Sequence, residues 1–256
     1  MSSEKLEKVI HAQYDDLIAS YPGLELTQLK PDVWCVRGKI TLSAIYNTEK
    51  IEDEYVIELI IPPEYPSKPP LVKEVGGRIP KDFHTNPNEA LCLGAPLEIK
   101  RKFAQTATLL GFLHECVIPF LYSFSYKKKH GVMPFGELSH GGKGILEYYY
   151  ELLDIDDAFI VLRFLKLLID DSYRGHHDCP CESGLRLRYC HSERLLDIKK
   201  YQNADGFMHD YIQIAEYIIR TTKTKLPYDL APKKYQRILN KKSQRTGIDG
   251  MEIKTL

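Results

Sequence analysis

The segment 61–72 reads IPPEYPSKPPLV, and its prolines decide how the first half of the chain folds. They stand at Pro62, Pro63, Pro66, Pro69 and Pro70. Each fixes its own φ, removes a backbone donor and pushes the preceding residue out of the helical region. Helix is therefore excluded and an extended turn is predicted, with Pro69–Pro70 the candidate for a cis bond. Upstream, YVIELIIP (55–62) and VWCVRGKITLSAIY (33–46) are β-branched and aromatic and predict two strands. Downstream, LVKEVGGRI (71–79) predicts a short third strand. Residues 3–20 place Leu6, Val9, Ile10, Tyr14, Leu17 and Ile18 on one face of a helix, which Pro22 and Gly23 end. Residues 84–101 read as irregular. Residues 103–128 resume a helical pattern that Pro119 interrupts.

The composition shifts after Lys129. The stretch 130–144, HGVMPFGELSHGGKG, contains five glycines and reads as a connector. It lacks the spacing of a phosphate-binding loop. Helices are expected over roughly 142–154, 156–171, 192–202 and 206–221. The predicted organisation is α+β: a domain at 1–129, a helical region at 130–222 with a cysteine-rich knuckle at 176–191, and a basic tail at 223–256.

The 256 residues carry zero formal net charge and 43% hydrophobic residues, ordinary values for a globular chain. Neutrality gives no electrostatic ground for nucleic acid or an anionic membrane as partner. The polar N-terminus has no apolar signal core, and no apolar run of about 18 residues predicts a membrane span. Six cysteines without a secretion signal fit a reducing, cytoplasmic setting better than a disulfide framework.

Two of the cysteine contexts carry chemistry. HTNPNEALCLG (84–94) sets Cys92 at the end of a loop of Asn, Pro and small residues. Leu91 and Leu93, two apart, point away from the cysteine and can anchor the segment while the thiol faces out. Farther on, CPCESGLRLRYCH (179–191) offers three sulfurs and one imidazole. Cys179, Cys181, Cys190 and His191 match a closed tetrahedral Cys₃His zinc site. Four protein ligands leave no open position, so the predicted single Zn²⁺ is structural. His176 and His177 read as solvent-exposed or supporting residues. The knuckle also resembles the SEC-C zinc motif, which Pro180, Ser183 and Gly184 match as well.

The order helix, strands, Tyr-Pro turn, Pro-Pro, strand, His-x-Asn and then cysteine resembles the ubiquitin-conjugating enzyme family. IPPEYPSKPPLV is similar to that family's strand end and turn. His84-Thr85-Asn86 is similar to its His-Pro-Asn, and Cys92 follows Asn86 at close to the family's distance. Trp34 falls where a tryptophan often opens the first strands. The resemblance covers about residues 3–126. It departs at Thr85, which replaces a proline, and after Cys92, where IKRKFAQTATLL replaces the tryptophan-containing segment common in eukaryotic members. The chain therefore looks like a prokaryotic member.

The resemblance implies an enzyme that carries an acyl group as a thioester on Cys92 and passes it to an amine. The Asn86 amide would donate a hydrogen bond to the tetrahedral oxyanion; the plainer reading is that Asn86 hydrogen-bonds its own turn. His84 reads as holding the loop, with a role as base the alternative. Similar proteins lie in bacterial antiphage operons, so the implied cargo is a ubiquitin-like protein or a cGAS-like nucleotidyltransferase. No Gly-rich nucleotide motif follows a strand, which implies a separate activating enzyme unless the donor arrives activated. The competing reading is a non-catalytic scaffold that binds ubiquitin-like partners, with the zinc knuckle as an interaction module.

Overall fold

In the computed structural model, which describes residues 2–135 and 139–236, helix α1 (Ser3–Ser20) leads into four strands. These are β1 (Leu24–Lys30), β2 (Val33–Tyr46), β3 (Glu49–Ile61) and β4 (Leu71–Glu74), hydrogen-bonded in the order β1-β2-β3-β4. All neighbours are antiparallel. The chain divides into two compact units, Met1–Leu138 and Ser139–Leu256.

The sheet belongs to the first unit. Its alternation sends Trp34, Val36, Ile40 and Leu42 of β2, with Ile51, Tyr55, Ile57, Leu59 and Ile61 of β3, into one core. On the other face, Glu25, Arg37, Glu58 and Lys73 stand opposite one another in a row across all four strands. Signs alternate along that row, and Arg37 pairs with Glu58 at 3.0 Å. The predicted α1 face is the buried one: Leu6, Ile10 and Leu17 are in the core, with Val9, Tyr14 and Ile18 packed against it.

Several expectations are corrected. The cis bond is Tyr65–Pro66, not Pro69–Pro70. The stretch 84–101 is not irregular throughout, because α2 (Pro96–Thr106) begins within it. Pro119 does not interrupt its helix. Helix α3 (Leu109–Phe112), a π turn (Leu113–Val117) and α4 (Ile118–His130) run on continuously. The π turn lengthens the backbone bonding pattern just ahead of the residue that has no N–H to give. The span Leu109–His130 is long and apolar enough, by length and composition, to cross a membrane. It is the core helix of this unit: Leu109, Phe112, Leu113, Val117, Phe120 and Leu121 all lie in the core cluster.

The second unit is helical: α5 (Gly141–Leu153), α6 (Ala158–Ile169), α7 (Ser192–Ile198) and α8 (Ala204–Thr222). The α5–α8 crossing is close because Gly142 has no side chain; a Cβ there would stand 2.0 Å from the Gln213 carbonyl oxygen. Inside this unit Asp210 is fully buried and accepts from Tyr149 Oη at 2.9 Å and Gln202 Nε2 at 2.6 Å. The expected basic tail is in its first part a packed segment. Leu226, Leu230 and Ala231 are buried, Tyr211 donates to the Leu230 carbonyl at 3.1 Å, and the Lys233 N–H donates to Asp170 at 2.9 Å. Residues 237–256 of that tail lie outside the described residues.

Candidate nucleophile and candidate metal centre

Strand β4 positions the Cys92 loop. The Leu91 N–H donates to the Val72 carbonyl at 2.8 Å, which ties the loop to β4. The Cys92 N–H donates to the His84 carbonyl at 2.7 Å, and Thr85 and Leu91 form an isolated bridge. Between them the chain turns back on itself: the Asn86 N–H donates to the Ala90 carbonyl at 2.8 Å, and the Glu89 N–H to the Asn86 carbonyl at 2.9 Å. Leu91 is in the core and Leu93 packs against it, while Cys92 is partly exposed. The two leucines therefore anchor the segment on either side of a partly exposed cysteine.

His84 is 5% exposed, with φ of 42°, and its ring stands edge-on to Phe83 at 4.7 Å and Phe120 at 6.4 Å. It is built into the wall beneath the loop, an arrangement suited to holding the backbone that receives the Cys92 N–H. Thr85, where a proline would stiffen the turn, closes it by donating its hydroxyl to the Phe83 carbonyl at 2.9 Å. Asn86 is exposed. Its backbone makes the turn, and among the described residues no hydrogen bond joins its side chain to Cys92.

Burial pushes the Cys92 thiol above its ordinary pKa; a hydrogen bond from the Gly94 N–H opposes this, and the Glu98 carboxylate adds to the rise. Glu98 is a site residue that the sequence reading missed. Gly94 has φ of +153°, and a Cβ on it would lie 2.6 Å from Glu98 Oε2, so the space beside Gly94 is taken by this carboxylate. Glu98 reaches back to accept from the Ala95 N–H at 3.3 Å, which caps α2 after the Pro96 start, and pairs with Lys102 at 2.7 Å. Pro96 at the first helical position with the acidic Glu98 in the first turn was the signal available in the sequence. Of the other cysteines in this unit, Cys35 and Cys116 are 4% and 3% exposed, and burial pushes Cys116 up to about 11.

In the second unit, Cys179, Cys181, Cys190 and His191 bring one ligand atom each within 4.8 Å of one another. Cys181 Sγ and Cys190 Sγ are 3.5 Å apart, and His191 Nδ1 is 3.3 Å from Cys179 Sγ and 3.1 Å from Cys190 Sγ. Such spacings suit ligands about 2.0–2.3 Å from a shared tetrahedral ion. His191 Nε2 lies 2.9 Å from the Leu153 carbonyl, which only accepts, so Nε2 carries the proton and the Nδ1 lone pair faces the sulfurs. Burial also lowers the His191 pKa, favouring the neutral ring that a metal needs. Ser183, one of the residues matched to the zinc motif, places its hydroxyl 3.2 Å from Cys181 Sγ and 3.5 Å from Cys190 Sγ. His176 and His177 are exposed and lie outside the ligand group. The donor set fits a metal ion held by four protein ligands.

Comparison with family models, with curated proteins and with solved structures finds no match for this chain.

Proposed function

We propose that the chain is a ubiquitin-conjugating-like acyltransferase that carries a protein C-terminus as a thioester on Cys92 and transfers it to an amine. The observation that carries this reading is the placement of Cys92: partly exposed, tied through its own N–H to His84, and flanked by two core-anchored leucines. A carrier thiol needs that combination of access and fixed position, whereas Cys35 and Cys116 are sealed in. Burial and the charge of Glu98 raise the Cys92 thiol's pKa, and the Gly94 N–H lowers it. Asn86, exposed on the same loop and without a competing side-chain hydrogen bond among the described residues, is free to turn toward an acyl group bound at the sulfur. Its role as oxyanion donor belongs to this proposal.

The cargo proposed is a ubiquitin-like protein or a cGAS-like nucleotidyltransferase delivered by a separate activating enzyme in bacterial antiphage defence. This rests on the order of motifs over residues 3–126 and on the four-stranded antiparallel sheet with flanking helices that they build. The ion at the Cys179, Cys181, Cys190, His191 group is proposed to be one structural Zn²⁺, on the strength of three thiolates and one imidazole. The test is co-expression with the genomic neighbours, followed by intact-mass spectrometry with and without a thiol reductant. A reductant-sensitive protein adduct supports the carrier reading, and a scaffold would give none.

A further inference from the structure

The four donors of the knuckle are not equally placed. Cys179 is 5% exposed, and its sulfur lies 3.3 Å from His191 Nδ1. Cys181 and Cys190 are partly exposed and stand 3.5 Å apart, sulfur to sulfur. Cys190 also lines an open groove with Arg188, Ser192 and Glu193, so a small solute reaches this residue from solvent. Backbone bonds that need no metal hold the frame around the pair. The Cys179 N–H donates to the Leu185 carbonyl at 2.9 Å, the Leu187 N–H to the His177 carbonyl at 2.9 Å, and the Arg188 N–H to the Gly175 carbonyl at 3.0 Å. Ser183 keeps its hydroxyl within 3.5 Å of both sulfurs. Closing Cys181 onto Cys190 would bring the sulfurs about 1.5 Å nearer, to the ordinary S–S length of about 2.05 Å, a shift that side-chain rotation can supply.

Cysteines that hold a metal are thiolates, and thiolates that solvent reaches are the ones that peroxides oxidise. We propose that Cys181 and Cys190 are a redox modification site, a thiol pair that hydrogen peroxide converts to a disulfide with loss of the metal. The inference rests on the zinc reading of the ligand group and not on the acyl-carrier role of Cys92. The Cys190 thiolate attacks one peroxide oxygen, the O–O bond breaks, and a sulfenic acid and a hydroxide result. The Cys181 thiolate then attacks the sulfenic sulfur, the S–S bond forms and a second hydroxide leaves. Each sulfur has given up one electron, the two peroxide oxygens have gained them, and two protons from solvent turn the hydroxides into water. Cys179 and His191 remain, too few to hold a four-coordinate ion, and the Cys179 sulfur takes up a proton as the ion leaves. His191 bonds the Leu153 carbonyl at the end of α5, so the change is passed to the helical unit.

The experiment takes the full chain, purified with its metal and assayed for zinc by elemental analysis, and treats it with hydrogen peroxide beside a chromogenic zinc reporter. About one zinc should be released for each disulfide formed. After alkylation of the remaining thiols, peptide mapping by mass spectrometry should show Cys181 joined to Cys190 and Cys179 alkylated. A dithiol reductant followed by zinc should restore the metal content. Cys181→His keeps a metal ligand and removes the second thiol; in it, peroxide should leave Cys190 as a sulfenic acid that dimedone traps, with no disulfide. Zinc retained while peroxide oxidises Cys92, or zinc lost without the Cys181–Cys190 bond, would overturn the proposal. Protein that contains no zinc before peroxide is added would strike the zinc reading instead. In that case the mapping still decides, since the Cys181–Cys190 bond would support the pair and any other pattern would overturn it.

Discussion

His191 donates its Nε2–H to the carbonyl of Leu153 at 2.9 Å, and this bond decides which ring nitrogen meets the three sulfurs. It connects the end of α5 to the cysteine-rich knuckle, so metal binding and packing of the helical unit are one event. Purified, metal-replete protein should contain one zinc per chain by elemental analysis. Ser183→Ala should weaken zinc binding by about 10–100-fold, as loss of supporting hydrogen bonds does at other sites. Competition with a chromogenic chelator measures it.

Zinc affinity should fall as pH falls. Burial pushes the Cys179 thiol of the metal-free chain up to about 12, so the thiol is protonated at neutral pH and must release its proton to bind. Lower pH favours the proton, and higher pH favours the metal. Chelator competition between about pH 6 and pH 8 should show affinity rising with pH. A flat profile would mean that the thiols bind no metal.

Cys181→Ser should loosen the second unit and leave the first folded. The reason is that each unit has its own set of internal contacts, one over Met1–Leu138 and one over Ser139–Leu256. Structural zinc contributes roughly 10–16 kcal/mol of binding free energy in small peptides, enough to organise the 176–191 segment. Limited proteolysis should cut the variant after residue 139 and spare the sheet. Loss of all protected fragments would contradict it.

Gly142→Ala should destabilise the second unit by about 1–3 kcal/mol, because its Cβ would be driven against the Gln213 carbonyl and the two helices would have to part. Thermal denaturation measures the loss. An unchanged midpoint would mean that α5 and α8 do not cross as closely as described.

What the sequence displayed depended on how strongly each element segregates apolar from polar residues. Strand β2 matches its predicted span residue for residue because VWCVRGKITLSAIY is rich in the β-branched and aromatic residues that fit a half-buried pleated surface. Strand β1 escaped notice because, at the sheet edge, Leu24 is its only fully buried residue and LELTQLK shows little alternation. Helix α2 was hidden for a related reason. It buries only Leu97 and Phe103, and its N-cap is Ala95, which lacks the side-chain oxygen that usually marks a helix start. The cap comes from Glu98, three residues inside, so nothing at the cap position itself marks the helix start. The metal group was plain because four ligands lie within thirteen residues, 179–191, where spacing alone brings them together. Asn86 and Cys92 were legible as a pair in sequence; their relation in space depends on a loop whose turn involves Ala90 and His84 backbone groups that carry no signature.

The proposed role of Asn86 is in transfer and not in stability. Asn86→Ala should leave the thermal midpoint nearly unchanged, since its exposed side chain makes no hydrogen bond among the described residues. It should slow discharge of charged protein to amine by roughly 10²–10³-fold, with loading of Cys92 changed much less. A single-turnover assay separates the two steps. Equal discharge rates would leave Asn86 as a turn residue only.

Whether Cys92 carries the proposed acyl group is read by intact-mass spectrometry of protein co-expressed with its genomic neighbours. The expected spectrum shows an adduct of a partner protein's mass that thiol reductant removes and that maps to Cys92. It should vanish in Cys92→Ala and persist in Cys35→Ala and Cys116→Ala, whose thiols are buried. An adduct that survives in Cys92→Ala, or a Cys92 that resists alkylation in the folded protein, would contradict it.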